Sequence, residues 1–231
     1  MLKRGPQGVR TPLMDFLNPG VKLVLASASP RRKELLRMSG ISFRIRRTRV
    51  EENGPIPKGM DPVDWATNWA VKKALNVATH SQAEIVLGAD TIVTIGGNIL
   101  GKPRDRRDAR RMLTILSGKW HEVITGVAIV KDGQLLAKAE RTRVKFRKIS
   151  ADEVERYIAS GEPKDKAGAY AIQGRAKAFV ENIKGDYTNV VGLPLNRVLS
   201  MLSEIQAGMD NRRMHDGLKK PLKGGYSDEA L

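Results

Sequence analysis

The sequence predicts an α/β domain with a mixed β-sheet, and two observations support this. Short apolar runs of the kind that form buried strands alternate along the chain with segments that carry helix signals. The 231 residues, of which 41% are hydrophobic and 29% charged, are enough to bury a sizeable core. This balance excludes disordered and fibrous classes of protein.

A strand that turns directly into a helix opens the domain. Residues 22–27 (KLVLAS) suit a buried strand. Ser29 is a typical N-cap residue for a helix over 30–38, which has Pro30 at its first position and Gly40 just past its end. The elements expected next are a strand over 42–47, a helix from 61–62 onward, strands over 84–89, 91–95 and 98–100, and a helix over 105–116.

The second half of the chain is expected to form two long strands and two further helices. Asp132–Gly133 is the predicted turn between the long strands, and Ser150 is the predicted N-cap of the helix that follows them. The expected elements are strands over 123–130 and 135–146, a helix over 151–159, a strand over 179–183 and a closing helix over 194–202.

Charge and composition separate the folded part from the two ends. The formal net charge is +16, of which residues 1–20 contribute +2 and residues 206–231 contribute +1. Both ends are predicted to be poorly ordered extensions of one domain over 21–205, which holds the rest of the charge. A basic domain favours anionic partners. The basic stretch over 31–50 has no interleaved aromatic motif, so it favours a solvated face over nucleic-acid binding.

Composition also excludes several kinds of site. The chain has no cysteine, which rules out disulfides, thiolate metal sites and a cysteine nucleophile. Its three histidines are widely scattered, so any metal would be a hard cation with oxygen ligands. No segment reaches the roughly 18 apolar residues of a membrane helix, and Pro12 and Asp15 interrupt the opening segment. We therefore expect a soluble, cytoplasmic protein.

Residues 27–32 (SASPRR) are the first candidate for chemistry. At this strand-to-helix turn, free backbone N–H groups, the helix dipole and two guanidinium groups can face one place, which suits a phosphate. Simple helix capping followed by surface arginines explains the same residues equally well, and spacing alone does not decide.

Other candidate residues follow at the ends of strands and in loops. Asp90 ends an apolar strand, Lys102 lies between Gly101 and Pro103, and Glu51 and Glu52 follow the second strand. Each of these residues also has an ordinary explanation, as a turn residue, a loop lysine or a solvated acid. The glycine-punctuated stretch over 161–174 is longer than a connector requires, which favours a functional loop.

Taken in order, these segments resemble the Maf family of nucleoside triphosphate pyrophosphatases. The resemblance runs from about Val21 to Leu202 and leaves out both ends. The matching segments are LASASPRRKELL, GADTIV, GKPRD, LSGKWHEVITGVAI, GEPKDKAGAYAIQG and NVVGLPL. Each segment alone is a weak signal, but six segments in order at compatible spacings are specific to the family.

The resemblance implies a fold, a reaction and a substrate. The fold is an elongated α/β fold akin to that of inosine triphosphatase, with the substrate in a cleft between two lobes. The reaction is the hydrolysis of a nucleoside triphosphate to the monophosphate and pyrophosphate, with Mg²⁺ or Mn²⁺ as the cofactor. The segment 169–174 (AYAIQG) is similar to the branch that acts on dTTP and UTP. The departures at Ala171 and at 175–177 leave modified or purine nucleotides open as alternative substrates.

Individual residues match the family's functional positions. Asp90 matches the proposed proton acceptor, and with Glu52 it would hold the metal. Arg31, Thr91 and Gln173 match positions linked to substrate specificity. The remaining matches to polar cleft positions are Ser29, Glu52, Lys102 and Lys166. Arg32 either contacts phosphate or faces solvent.

Two alternatives of different kinds stay open at this point. A non-enzymatic anion or nucleic-acid binder would account for the basic domain, and it would release no pyrophosphate from any nucleotide. A pyrophosphatase for another nucleotide would keep the chemistry and change the substrate. The resemblance also implies a role in clearing nucleotide pools and a link to arrest of cell division, and the sequence leaves a homodimer open.

Overall fold

The sheet is mixed, as the sequence predicts. The computed structural model describes residues 22–50, 56–57, 59–78 and 84–217, with side chains up to residue 207. The strands of this part of the chain are β1 (Lys22–Leu25), β2 (Phe43–Ile45), β3 (Glu84–Ile95), β4 (Asn98–Leu100), β5 (Trp120–Lys131), β6 (Gln134–Phe146) and β7 (Val180–Lys184). They form one sheet in the order β2-β1-β3-β5-β6-β7, with β4 paired to β3. Strand β1 runs parallel to β2 and β3, and the other pairs are antiparallel.

Six helices flank this sheet within the described residues. They are α1 (Pro30–Met38), α2 (Pro62–Ala78), α3 (Arg106–Leu116), α4 (Ala151–Ala159), α5 (Tyr187–Val191) and α6 (Leu195–Gly217). The predicted cap of α4 is confirmed, because Ser150 and Glu153 form a reciprocal capping box. No helix in the described part of the chain is long and apolar enough to cross a membrane.

Two predicted boundaries are wrong. The strands expected over 84–89 and 91–95 are one strand, because β3 pairs with β5 without interruption from Val86 to Thr94. The closing helix begins after Pro194, as predicted, but continues to Gly217. The predicted extension over 1–20 and the chain beyond 217 lie outside the described residues.

Helix α2 covers one face of the sheet, and the other helices cover the opposite face. The alternation along β1 shows this division. Leu23 and Leu25 join the large cluster that includes buried residues of α1, α3, α4 and α6, whereas Val24 packs with residues of α2. Neighbouring residues of a strand therefore face different helical layers.

Two glycines let α2 approach the sheet closely. A Cβ atom on Gly126 of β5 would lie 2.3 Å from the carbonyl oxygen of Ala66, and one on Gly88 of β3 would lie 2.3 Å from that of Ala70. These neighbours are backbone atoms of α2, which cannot turn aside as a side chain can. Small residues on both surfaces thus set the distance between α2 and the sheet.

Gly126→Ala should destabilise the protein by about 1–3 kcal/mol, the usual cost of overpacking a core, because α2 must move away from β5. Urea denaturation of parent and variant measures the change. Gly101→Ala is the matched control, since a Cβ there would lie 4.0 Å from its nearest neighbour. Equal free energies of unfolding for Gly126→Ala and the parent would show that the close approach does not constrain the fold.

An aromatic cluster joins the sheet to the segment after α4. The His121 ring of β5 packs edge-on against Phe146 and Tyr170, with ring centroids 4.8 and 5.5 Å apart. Its Nε2 atom lies 2.9 Å from the Tyr170 hydroxyl. Burial lowers the pKa of His121 from 6.5 to about 4, so the folded protein keeps this ring neutral at pH values where an unfolded chain would protonate it.

Stability should therefore fall as the pH is lowered from 6.5 toward 4. In that window the unfolded state binds a proton that the folded state does not, which costs about 1.4 kcal/mol per pH unit. His121→Gln should show a shallower loss in denaturation curves at pH 7, 6 and 5, because the other two histidines are common to both proteins. The same pH slope in both would contradict the buried neutral ring.

Candidate active site

A cleft opens where one edge of β3 lacks a neighbouring strand. On that edge β1 pairs with Glu84–Leu87 and β4 pairs with Val93–Ile95. Within the described residues, no strand pairs with 88–92 on this side. The cavity there has a volume of about 1090 Å³, which is ample for a small-molecule ligand. The cleft expected from the family resemblance therefore exists, and the end of β1 and the turn into α1 form part of its wall.

Most of the predicted site residues come together in this cleft. Those that line it are Ser29, Arg31, Asp90, Thr91, Lys102 and Lys166. Gln173 is exposed and is not among the lining residues. Glu51 and Glu52 lie outside the described residues. The structure thus gathers six predicted residues from four separate segments of the chain.

The turn into α1 presents backbone groups and a hydroxyl to the cleft. Ser29 occupies the N-cap position, as predicted, but its side chain makes no capping hydrogen bond. Its backbone N–H instead donates to Ser27 Oγ at 3.2 Å. The backbone N–H groups in the first turn of α1 can therefore donate hydrogen bonds to an anion that lies next to the Arg31 guanidinium.

Arg32 is buried and does not face solvent, which excludes one of the two alternatives that the sequence left open. Its Nε donates to the Gly192 carbonyl at 2.8 Å, and its Nη2 donates to Thr91 Oγ1 at 3.0 Å. Its Nη1 lies 3.3 Å from Ser27 Oγ. One guanidinium therefore ties α1, β3 and the loop after α5 together, and fixes the Thr91 hydroxyl at the cleft wall.

Asp90 forms a buried ion pair with a residue that the sequence did not single out. Lys73 Nζ of α2 lies 2.6 Å from Asp90 Oδ1, and both side chains are buried. The signal was present, because Lys73 falls on the face of α2 that also buries Ala66, Ala70 and Val77. A lysine on an apolar helix face is favoured when it reaches a buried acid.

Three of the cations that line the cleft, Arg31, Lys102 and Lys166, lie near one another, and we call them the cation cluster. Burial lowers the pKa of Lys166, and the nearby charges of Arg31 and Lys102 lower it further. Burial also lowers the pKa of Arg31, against the opposing effects of Tyr157 and Glu162. Like charges held together in this way repel one another, and an anion bound between them would relieve the repulsion.

A glycine brings two of these cations together. Gly168 has φ +65°, and its N–H donates to the Gly101 carbonyl at 3.0 Å. A Cβ atom there would lie 2.9 Å from Val93, so only glycine fits against β3. This contact seats the 161–174 segment beside the segment that follows β4, which explains how Lys166 comes near Lys102.

The donor set partly fits a divalent metal. Among the described residues, no group of three or more acids and histidines could hold an ion by itself. Magnesium commonly takes only one or two carboxylates and completes its shell with water and substrate phosphates. Asp90 in the cleft is compatible with such a site, and the second predicted ligand, Glu52, lies outside the described residues.

The fold and the cleft together define a mixed α/β protein with a cleft lined by cationic side chains. A sequence model of the family described as Maf-like protein matches residues 22–205. The chain belongs to this family.

Named relatives share most of the chain. The dTTP/UTP pyrophosphatase of Bacillus anthracis (strain CDC 684 / NRRL 3495) is 48% identical over 183 residues, which are 79% of this chain and 95% of that protein. The dTTP/UTP pyrophosphatase of Symbiobacterium thermophilum is also 48% identical over 183 residues, covering 79% and 93% of the two chains. Among solved structures, a HAM1 protein from Coxiella burnetii aligns with a TM-score of 0.45 at 14% identity, over 80% of this chain and 99% of that chain.

Arg31→Ala should weaken pyrophosphate binding by about tenfold to a hundredfold, because a charge-assisted hydrogen bond is lost at the start of α1. Isothermal titration with pyrophosphate measures the change. Arg44→Ala is the control, since Arg44 belongs to the same basic stretch but is exposed on β2 and does not line the cleft. Equal weakening by both variants would favour a diffuse basic surface over a defined site.

Proposed function

We propose that this protein hydrolyses nucleoside triphosphates, chiefly dTTP and UTP, to the monophosphate and pyrophosphate. The observation that carries the proposal is one cleft that holds both the cation cluster and the Lys73–Asp90 ion pair. Membership of the Maf-like family and relatives named dTTP/UTP pyrophosphatases support the reaction and the substrates. Such an activity would remove nucleoside triphosphates from cellular pools.

The cations supply the site for the triphosphate. Arg31, Lys102 and Lys166 neutralise phosphate oxygens, and the N–H groups at the start of α1 donate hydrogen bonds to the same phosphates. Breaking a phosphoanhydride bond leaves pyrophosphate as the departing group, with more negative charge than it carries in the substrate. Preorganised cations stabilise that charge as it develops.

Asp90 acts as the proton acceptor for the attacking water. Its carboxylate lies in the wall of the cleft, and its Oδ1 accepts a hydrogen bond from Lys73 Nζ. The same contact fixes the orientation of the carboxylate, because the ion pair is buried between α2 and β3. Lys73 is thus a positioning residue for Asp90.

A divalent metal would be held by Asp90 together with Glu52. When bound, Mg²⁺ or Mn²⁺ would neutralise phosphate charge and lower the pKa of a bound water.

The Thr91 hydroxyl is a further polar group in the wall of the cleft. Arg32 fixes its position, and it lies on the opposite side of β3 from Asp90.

Gln173 is the proposed reader of the base. Uracil and thymine present a carbonyl acceptor beside an N–H donor, and one glutamine amide can form a hydrogen bond with each of them. Cytosine presents the reversed pattern, which the amide meets only by turning over. Gln173 is exposed and belongs to the same 161–174 segment as Lys166, which lines the cleft, so this role requires the base to bind at the rim of the cleft.

A panel of nucleotides tests the proposal. With Mg²⁺ or Mn²⁺, release of pyrophosphate should be faster from dTTP and UTP than from CTP, GTP or methylated GTP. Asp90→Asn should lower the rate by about 10²–10⁴, the usual contribution of a general base, whereas Asp64→Asn on the exposed side of α2 should change little.

Each alternative has its own result in this panel. Release of no pyrophosphate from any nucleotide would identify a non-enzymatic binder. A preference for GTP or methylated GTP would keep the chemistry and overturn the substrate. Hydrolysis of dTTP by Asp90→Asn at the parent rate would remove Asp90 from the mechanism.

A further inference from the structure

Two side chains hold the turn that carries Gln173. The Tyr157 hydroxyl of α4 donates to Glu162 Oε1 at 3.2 Å and accepts the Ala171 N–H at 3.4 Å. Glu162 Oε2 accepts the Arg175 N–H at 3.1 Å. The bonded N–H groups lie two residues before and two residues after Gln173. We call this pair of side chains the Tyr157–Glu162 clamp.

Gly174 leaves the space that Glu162 occupies. A Cβ atom at Gly174 would lie 2.0 Å from Glu162 Oε1 and 2.5 Å from its Cδ. The backbone of Gly174 has φ −136°, which any residue can adopt. The absence of a side chain is therefore required by the approach of Glu162 and not by the turn itself.

The clamp lies beside the cation cluster of the cleft. Arg31 lines the cleft, and its electrostatic neighbours include both Tyr157 and Glu162. Lys166, also in the lining, has Glu162 among its neighbours. Burial raises the pKa of Tyr157, so its hydroxyl stays protonated at neutral pH and remains a donor to Glu162.

We infer that Tyr157 and Glu162 are positioning residues for base selection, because they fix the backbone on both sides of Gln173. The inference rests on the proposed function. A glutamine amide discriminates uracil from cytosine only if it is held in one orientation, since a rotated amide satisfies either base. A turn anchored at both ends fixes the position and direction from which the Gln173 side chain reaches the base, and a fixed starting point is needed for the amide to meet the base in one orientation.

Two variants break the clamp in different ways. Tyr157→Phe removes the bridging hydroxyl and keeps the ring that packs against Phe179. Gly174→Ala displaces the flexible end of Glu162 and leaves both clamp side chains in the sequence. Glu155→Gln is the matched control, because Glu155 belongs to the same helix but pairs with Arg110, which does not line the cleft.

The measured quantity is kcat/KM for UTP and for CTP, from pyrophosphate release. Both clamp variants should lower the UTP-to-CTP ratio about tenfold, the value of one lost hydrogen bond, while kcat for UTP stays near that of the parent. Glu155→Gln should keep the parent ratio. In a Gln173→Ala background, Tyr157→Phe should lower the ratio no further, because the clamp acts through Gln173.

The outcomes separate the inference from the function on which it rests. If the parent releases no pyrophosphate from UTP or dTTP, the proposed function fails and the inference fails with it. If the parent prefers UTP but Gly174→Ala keeps the parent ratio, the clamp is wrong and the function stands. A further fall in the Gln173→Ala background, or loss of kcat for UTP in folded variants, would also overturn a role through Gln173. Thermal melting establishes which variants are folded. If Tyr157→Phe is not folded, the UTP-to-CTP ratio of Gly174→Ala decides the outcome.

Discussion

The close approach of α2 to the sheet is the constraint on which the proposed active site depends. Gly88 and Gly126 leave room for the backbone of α2 where any side chain would collide with it. That distance lets Lys73 reach Asp90 at 2.6 Å. Burying two charges costs free energy even when they are paired, so hydrophobic residues of similar size would serve a purely structural purpose as well. The position of this ion pair in the wall of a cleft is better explained by a role in the reaction than by a structural role.

Strand β3 places the reactive groups because its neighbours leave part of one edge uncovered. Alternation along the strand points Asp90 toward α2 and Thr91 toward Arg32 and the Gly192 carbonyl. The cations come from outside the strand, and the fit of Gly168 against β3 helps to bring them to the same place. The cleft thus combines an acid fixed by a strand with cations carried by the first turn of α1 and by two loops, which suits the binding of a flexible polyanion.

Sequence patterns predicted the mixed α/β fold, and most of the site residues predicted from patterns and from the family resemblance line the cleft, but the contacts between them were not predicted. Lys73 was missed because a lysine on the apolar face of α2 indicates a site only once the opposing strand is known to carry Asp90. The direction of Arg32 depends on Thr91 and Gly192, which lie far away in sequence. The one strand over 84–95 was predicted as two because an aspartate is unusual in a strand interior, and its burial beside Lys73 is a tertiary effect.

A crystal structure with a non-hydrolysable dUTP analogue, bridged by nitrogen between the α and β phosphorus atoms, tests the account most directly. The account predicts that the phosphates contact Arg31, Lys102 and Lys166, with the α-phosphorus facing Asp90. A nucleotide bound outside the cleft, or one whose phosphates touch none of these cations, would contradict it.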